Sequence, residues 1–256
     1  TTTLDAVVYG LLLTALALAQ TGASVRVIER EGDIIDSPRA AVYFPSTLLI
    51  LDELGLLAEL DAVGFRHQNF GTHVPGFDYH SVVVSEPIDG IKYDYQLHVG
   101  QNEVARVAMK HAQALGVEVL FEHELLSYTD HGDRVSVQAR GPAGDASFDA
   151  KWLVAADGAR STVRQLAGIE FVGHTWPERF VATNVKFPFR ELGYEQANFV
   201  CDPVNMAVIA QLDRDGLWRC TYMEDSALPV ESYEERIHQR YEYFMQHYAS
   251  RAVYGV

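Results

Sequence analysis

Cysteine is nearly absent, with Cys201 and Cys220 the whole supply in 256 residues. Two cysteines cannot staple a chain of this length, and without a CxxC pair there is no zinc knuckle or dithiol redox site. Both are expected as reduced side chains. The ten histidines include no HExxH, so no metal centre is expected. Positive charge is scarce as well: 20 Lys and Arg stand against 35 Asp and Glu, for a formal charge of -15. That balance excludes a nucleic-acid partner, whose phosphates call for a basic groove. A small anionic ligand in a locally positive pocket stays open. The apolar run from Leu11 to Ala19 is too short to cross a bilayer, and Asp5 ahead of it is the wrong flank for a signal peptide. A cytoplasmic protein, monomer or homodimer, is the expectation. What remains is an ordinary globular composition, 48% hydrophobic and 21% charged, enough for one large domain or two smaller ones.

The first thirty residues read as strand, helix, strand. Leu4 to Tyr9 is a compact apolar run of strand length. Leu11 to Gln20 is Ala-rich and apolar, a buried helix closed by Thr21-Gly22, and Ser24 to Ile28 alternates into a second strand ending at Glu29. This is the plan of a dinucleotide-binding unit, in which pyrophosphate sits on the helix N-terminus and the terminal acid binds ribose hydroxyls. The glycine-rich fingerprint of such a unit is lacking. Only Gly10 remains of it, followed at once by Leu11. Strand-to-helix connections normally take roughly two to six residues, so about five are expected to be missing between Gly10 and Leu11 if a GxGxxG span is the reference.

Two further stretches are more specific. In Ser37-Pro-Arg-Ala-Ala-Val-Tyr-Phe-Pro-Ser-Thr-Leu-Leu-Ile-Leu-Asp-Glu-Leu-Gly-Leu-Leu57, Ser46 or Thr47 opens a helix with apolar residues at helical spacing, and Gly55 ends it. In Trp152-Leu-Val-Ala-Ala-Asp157-Gly158-Ala-Arg-Ser161-Thr-Val-Arg164, a buried strand delivers Asp157 to its carboxyl end. Gly158 then lets the backbone turn close to a ligand, and Ser161 caps the helix that follows. Between them, Val99-Gly-Gln101-Asn-Glu-Val-Ala-Arg106 enters an amphipathic helix running to Leu115-Gly116, with a strand from Val117 to Phe121. From Leu125 to Val154 the chain reads as strands with turns at 131–133 and 141–145. From Phe180 onward, alternating stretches at 197–201, 206–212 and 217–223 predict longer antiparallel strands, and Val230 opens a final helix.

The first of these stretches is similar to the segment P-x-T-x-x-x-L-x-x-L-G-L, preceded by an arginine, of the FAD-dependent aromatic hydroxylases, the para-hydroxybenzoate hydroxylase-like monooxygenases. The second resembles their Asp-Gly motif, D-G-x-x-S-x-V-R, at every fixed position. The resemblance implies an α/β fold: a Rossmann-like FAD-binding domain with an inserted antiparallel-sheet substrate domain. Residues 1–70 and 99–170 then form the FAD part, 71–98 and 171–245 the substrate part. Residues 246–256 return to the FAD part and stop before the family's Gly-Asp motif. Breaks over skipped loops are also expected at Met245-Gln246 and Ser250-Arg251.

The resemblance further implies flavin contacts by Gly10, Glu29, Arg30, Arg39, Gln101, Asp157 and Gly158. Gln211, Arg219 and Tyr222 on the later sheet are candidate substrate contacts, although alternation leaves open which face points inward. The implied chemistry is reduction of FAD by NADH or NADPH, formation of a flavin C4a-hydroperoxide with dioxygen, and oxygen transfer to a phenol or similar electron-rich ring. The catalytic residues, the preferred nicotinamide and the ring itself stay open. Two alternatives remain: another flavoenzyme of this fold (oxidase, epoxidase or halogenase), and a non-catalytic, flavin-free ligand-binding domain.

Overall fold

The computed structural model describes residues 4–9, 12–36, 40–74, 82–83, 90 and 92–249. The chain divides into two compact units: Thr1–Arg39, Leu51–Leu60 and Gln101–Gly173 make the first, and Ala40–Ile50, Asp61–Gly100 and His174–Val256 the second.

The chain opens on β1 (Leu4–Tyr9), α1 (Leu12–Gln20) and β2 (Val25–Ile28), the expected strand-helix-strand unit. In α1, Ala15 and Leu16 are buried with Ala19 one helical turn on, while Val25, Val27 and Ile28 of β2 are buried, as expected of a parallel strand covered on both faces. The sequence is continuous from Gly10 to Leu11. Gly10 and Leu11, where the abrupt junction is expected, lie outside the described residues.

The second unit then takes β3 (Val42–Tyr43). The helices α2 (Pro45–Glu53) and α3 (Leu57–Val63) follow, each with residues in both units, then β4 (Phe65–His67), β5 (Asn69–His73), β6 (Val82–Val83) and β7 (Gln96–His98). Gly55 stops α2 with a φ of 75°, a left-handed turn that a side chain would strain. Back in the first unit come α4 (Gln101–Ala114), β8 (Glu118–Leu120), β9 (Glu124–Asp130), β10 (Val135–Gly141), β11 (Gly144–Ala155) and the short α5 (Thr162–Leu166). On α4, Val104, Val107, Ala108 and Ala112 are buried at three- and four-residue spacing, and this apolar stripe packs against α1.

The six-stranded sheet of the first unit has the order β8-β2-β1-β11-β10-β9. Its first four strands are parallel, and β10 and β9 are added by antiparallel pairing. The meander at β9 to β11 packs Leu125, Val137, Ala139, Phe148 and Ala150 with Ile28 into one core.

The chain finishes in the second unit with β12 (Glu178–Lys186), β13 (Ala197–Val200), β14 (Ala207–Gln211), β15 (Leu217–Asp225) and α6 (Tyr233–Ala249). A second six-stranded sheet has the order β12-β15-β14-β13-β5-β6, and a three-stranded one the order β3-β7-β4. One face of the larger sheet closes on Phe189, Tyr194, Ile209, Trp218, Cys220, Tyr222 and Phe244. The helix α6 spans the Met245-Gln246 pair. Ser250-Arg251 lies outside the described residues.

Candidate functional site

Parallel register sets the geometry. Leu120 of β8 pairs with Ile28 of β2, Ile28 with Tyr9 of β1, and Tyr9 with Ala155 of β11. These four residues form one row at the carboxyl ends of four parallel strands, so the next residues of each strand emerge at a common edge. Glu29 follows one position after the row and Asp157 two positions after it. Their strands are two spacings apart, roughly 10 Å. The carboxyl edge of an open α/β sheet is where such folds bind ligands.

Glu29 is held from both sides by backbone. Its N–H donates to the Leu120 carbonyl at 2.9 Å, and its carbonyl accepts from the His123 N–H at 2.8 Å. Its carboxylate is oriented too, because Oε1 accepts from the Glu31 N–H at 3.0 Å. Glu29 and Gln101, the first residue of α4, line one cavity of about 210 Å³. Its apolar wall is Leu12, Val27, Ile34, Ile35, Ala105, Val119 and Phe121, and Glu31, Asp33 and Asn102 complete it. The loop carrying Ile34 and Ile35 is tied to α4 by Asp36, whose carboxylate accepts from Arg106 Nη2 at 2.6 Å. That hydrogen bond, with a lesser one from Asn102, holds the Asp36 carboxyl below its ordinary range.

Asp157 works locally. Its Oδ2 accepts from the N–H groups of Thr162 and Val163, at 2.6 and 3.2 Å, and its Oδ1 from Ser161 Oγ at 2.6 Å. Ser161 Oγ in turn accepts from the Arg164 N–H at 3.0 Å. Two side chains thus satisfy the N-terminal amides of α5. Gly158 turns with a φ of 78°, which only glycine adopts without strain.

The structure brings Glu29 and Gln101 to one cavity and Asp157-Gly158 to the same sheet edge. Arg30 is exposed, pairs with Glu31 at 3.3 Å, and faces a separate polar recess beside Glu122 and Arg140. Gly10 and Arg39 lie outside the described residues. Several cavity residues had gone unrecognised in the sequence. Phe121 and Val119 could have been read from the strand after α4, whereas Ile34, Ile35 and Asp33 sit in a loop with no periodic signal.

The three sheet candidates do not share a face. Antiparallel partners point the same way, and Ala207 pairs with Tyr222 and Gln211 with Trp218, so both Tyr222 and Gln211 belong to the core-facing side. Tyr222 is buried beneath the Arg240 guanidinium, 4.7 Å from its ring centre, and Gln211 Nε2 donates to the Asp213 carbonyl at 2.7 Å. Arg219 stands on the opposite face with its partners Asn184 and Ala210, its Nε donating to Asn184 Oδ1 at 3.0 Å. Burial lowers its pKa from the ordinary arginine value. Phe180, Phe199 and Val208 project from that same face, partly exposed.

A sheet edge of this form, with an acid at the end of the second strand, defines a dinucleotide-binding domain. A family model described as FAD binding domain matches residues 9–251. The chain is 40% identical over 238 residues to para-nitrophenol 4-monooxygenase of Pseudomonas sp. (strain WBC-3), covering 90% of this chain and 58% of that protein. It is 38% identical to 6-hydroxy-3-succinoylpyridine 3-monooxygenase HspB of Pseudomonas putida (strain DSM 28022 / S16), covering 89% and 59%. The crystal structure of p-nitrophenol 4-monooxygenase PnpA from Pseudomonas putida DLL-E4 superposes with a TM-score of 0.90 at 39% identity, covering 94% of this chain and 63% of that one. The chain belongs to the FAD-dependent aromatic hydroxylase family. It spans 58 to 63% of the length of these relatives.

The cavity fits the adenosine half of FAD by the chemistry of its walls. Aliphatic and phenylalanine side chains suit a purine, and an oriented carboxylate at the end of β2 suits a ribose diol. Among the described residues no helix is long and apolar enough to cross a membrane.

Proposed function

We propose that the protein hydroxylates a phenolic or similarly electron-rich aromatic ring, consuming NAD(P)H and dioxygen with FAD as its cofactor. The balance is ring C–H, dioxygen, NAD(P)H and a proton giving ring C–OH, water and NAD(P)+. The observation that carries the reading is the Glu29–Gln101 cavity at the carboxyl edge of the parallel strands, in a chain of this family. The relatives point the same way, since their names specify a nitrophenol and a hydroxypyridine as ring substrates.

Bound FAD supplies hydride acceptance and activation of dioxygen, the chemistry that no side chain provides. The chain's own residues bind and orient. Glu29 accepts from ribose hydroxyls, with Oε1 already aligned by the Glu31 amide. Gln101, at the N-terminus of α4, offers an amide to the flavin's polar chain. Asp157 and Ser161 fix the start of α5, and Gly158 leaves the backbone bare where the cofactor approaches. On the second unit, Arg219 and the apolar side chains around it form the face that takes the ring, while Tyr222 supports that sheet from behind.

The test is to add FAD to the purified protein, dialyse away the excess and record the visible spectrum. Retained flavin absorbance, followed by phenol-dependent NAD(P)H oxidation, is the expected outcome. A colourless protein would refute the reading.

A further inference from the structure

The strands β4 and β7 gather four side chains on one face. His67 stands opposite Gln96 and Phe65 opposite His98, and Gln96 and His98, two residues apart, point the same way. His67 is 5% exposed, Gln96 3% and His98 not at all. The two imidazoles meet edge to face with ring centres 5.4 Å apart, and the Phe65 ring covers His98 at 4.9 Å.

His98 Nδ1 lies 2.9 Å from the Gln211 carbonyl oxygen. A carbonyl only accepts, so Nδ1 carries the hydrogen and Nε2 presents a lone pair. Burial keeps this ring neutral by pushing its pKa down to about 4, and burial lowers His67 too. His67 Nε2, Gln96 Oε1 and His98 Nε2 are all buried, and none has a hydrogen-bond partner among the described residues. Native proteins leave only a few such atoms unmatched per hundred residues. Here three belong to side chains on one face of the β4–β7 pair, and two of them are acceptors.

Two buried acceptors on one face, Gln96 Oε1 and His98 Nε2, call for a molecule that donates twice. Water does this, and buried waters typically make about three hydrogen bonds to such groups. A zinc-type ion fits poorly, because two neutral imidazoles and an amide oxygen supply no anionic ligand.

We propose that this face holds one ordered water beside His67, which donates to His98 Nε2 and Gln96 Oε1. The water meets the lone pair that the Gln211 carbonyl leaves on His98 Nε2, and His98 in turn holds that carbonyl at the end of β14, where the chain turns into β15. The site is thus a structural binding site for water, built from two short strands.

A high-resolution crystal structure of the full chain, with data collected at the zinc edge, tests it directly. Density at hydrogen-bond distance from His98 Nε2 and Gln96 Oε1, with no anomalous signal, is expected. An empty site or an anomalous peak overturns the proposal. Gln96→Met adds an independent sign test in solution, since it keeps the shape and removes the acceptor. If the water is there, it loses a partner and the melting temperature falls by roughly 2–4 °C. If the site is dry, removing an unmatched buried oxygen leaves the melting temperature unchanged or raises it, and the proposal fails.

Discussion

Glu29 and Arg30 are neighbours in sequence with opposite situations. The backbone of Glu29 is clamped by Leu120 and His123, its carboxylate accepts from the Glu31 amide and the residue lines the cavity, whereas Arg30 is exposed against Glu31. Glu29→Ala is therefore expected to weaken FAD binding about tenfold or more, the worth of one charge-assisted hydrogen bond, and Arg30→Ala to leave it within about twofold. A fluorescence-quenching titration of FAD separates the two, and equal losses would remove the special role of Glu29. Asp157 carries a different cost. Replacing it with Ala strips acceptors from two amides and a hydroxyl, which should lower stability by about 1–2 kcal/mol in urea denaturation. The acid at the strand end and the Asp-Gly turn were both legible in the sequence, because each follows a recognisable strand. The capping work of Asp157 was not, since it depends on how the turn aims the carboxylate at a hydroxyl four residues on and amides five and six residues on.

Among the elements, β15 shows why alternation alone left the sheet undecided. Its core face carries Trp218, Cys220, Tyr222 and Glu224, and its other face Leu217, Arg219, Thr221 and Met223. Each face offers large apolar groups and one charge, so neither declares itself. The core face is identified by Glu224, which is 9% exposed yet bonded to two arginines. Its carboxylate accepts from Arg179 Nε of β12 at 2.9 Å and from Arg236 Nε and Nη2 of α6 at 2.8 and 3.0 Å. These bonds join two strands to the final helix. Glu224→Ala leaves two partly buried guanidinia facing one another and should cost about 3 kcal/mol, read as a fall in the denaturation midpoint. The Arg236 and Arg179 bonds hold the Glu224 carboxyl at about 2, below its ordinary 4.5. Unfolded chain binds that proton first, so this stabilisation is complete above pH 4.5 and disappears as pH falls toward 2. Helix boundaries were read less sharply: α2 starts at Pro45 rather than at Ser46 or Thr47, and a 3-10 turn at Val230–Ser232 precedes α6. Proline fits the first helical turn because its missing N–H would have no partner there, a cue that competed with the following Ser-Thr pair.

For the molecule as a whole, acid has a second and earlier effect. His98 is neutral and fully buried, with its pKa pushed by burial from 6.5 to about 4. The unfolded chain takes up this proton first, so stability should decline as pH drops from 6.5 to 4, by up to about 3 kcal/mol. Melting curves across that range check it. His98→Gln should flatten the slope, and an unchanged slope would place its source elsewhere. The α/β class and the opening strand-helix-strand unit were legible because hydrophobic period and turn residues report local structure. The division into units was harder to read, since it rests on which distant segments pack together.

That division has a consequence for anyone who takes the molecule apart. The two units are built from six alternating stretches of chain, so the backbone crosses between them five times. No single cut in the gene yields either unit intact, and a recombination breakpoint anywhere between residues 40 and 173 takes material from both. A lineage can exchange the surface of one unit residue by residue, but it cannot trade the whole unit as a cassette.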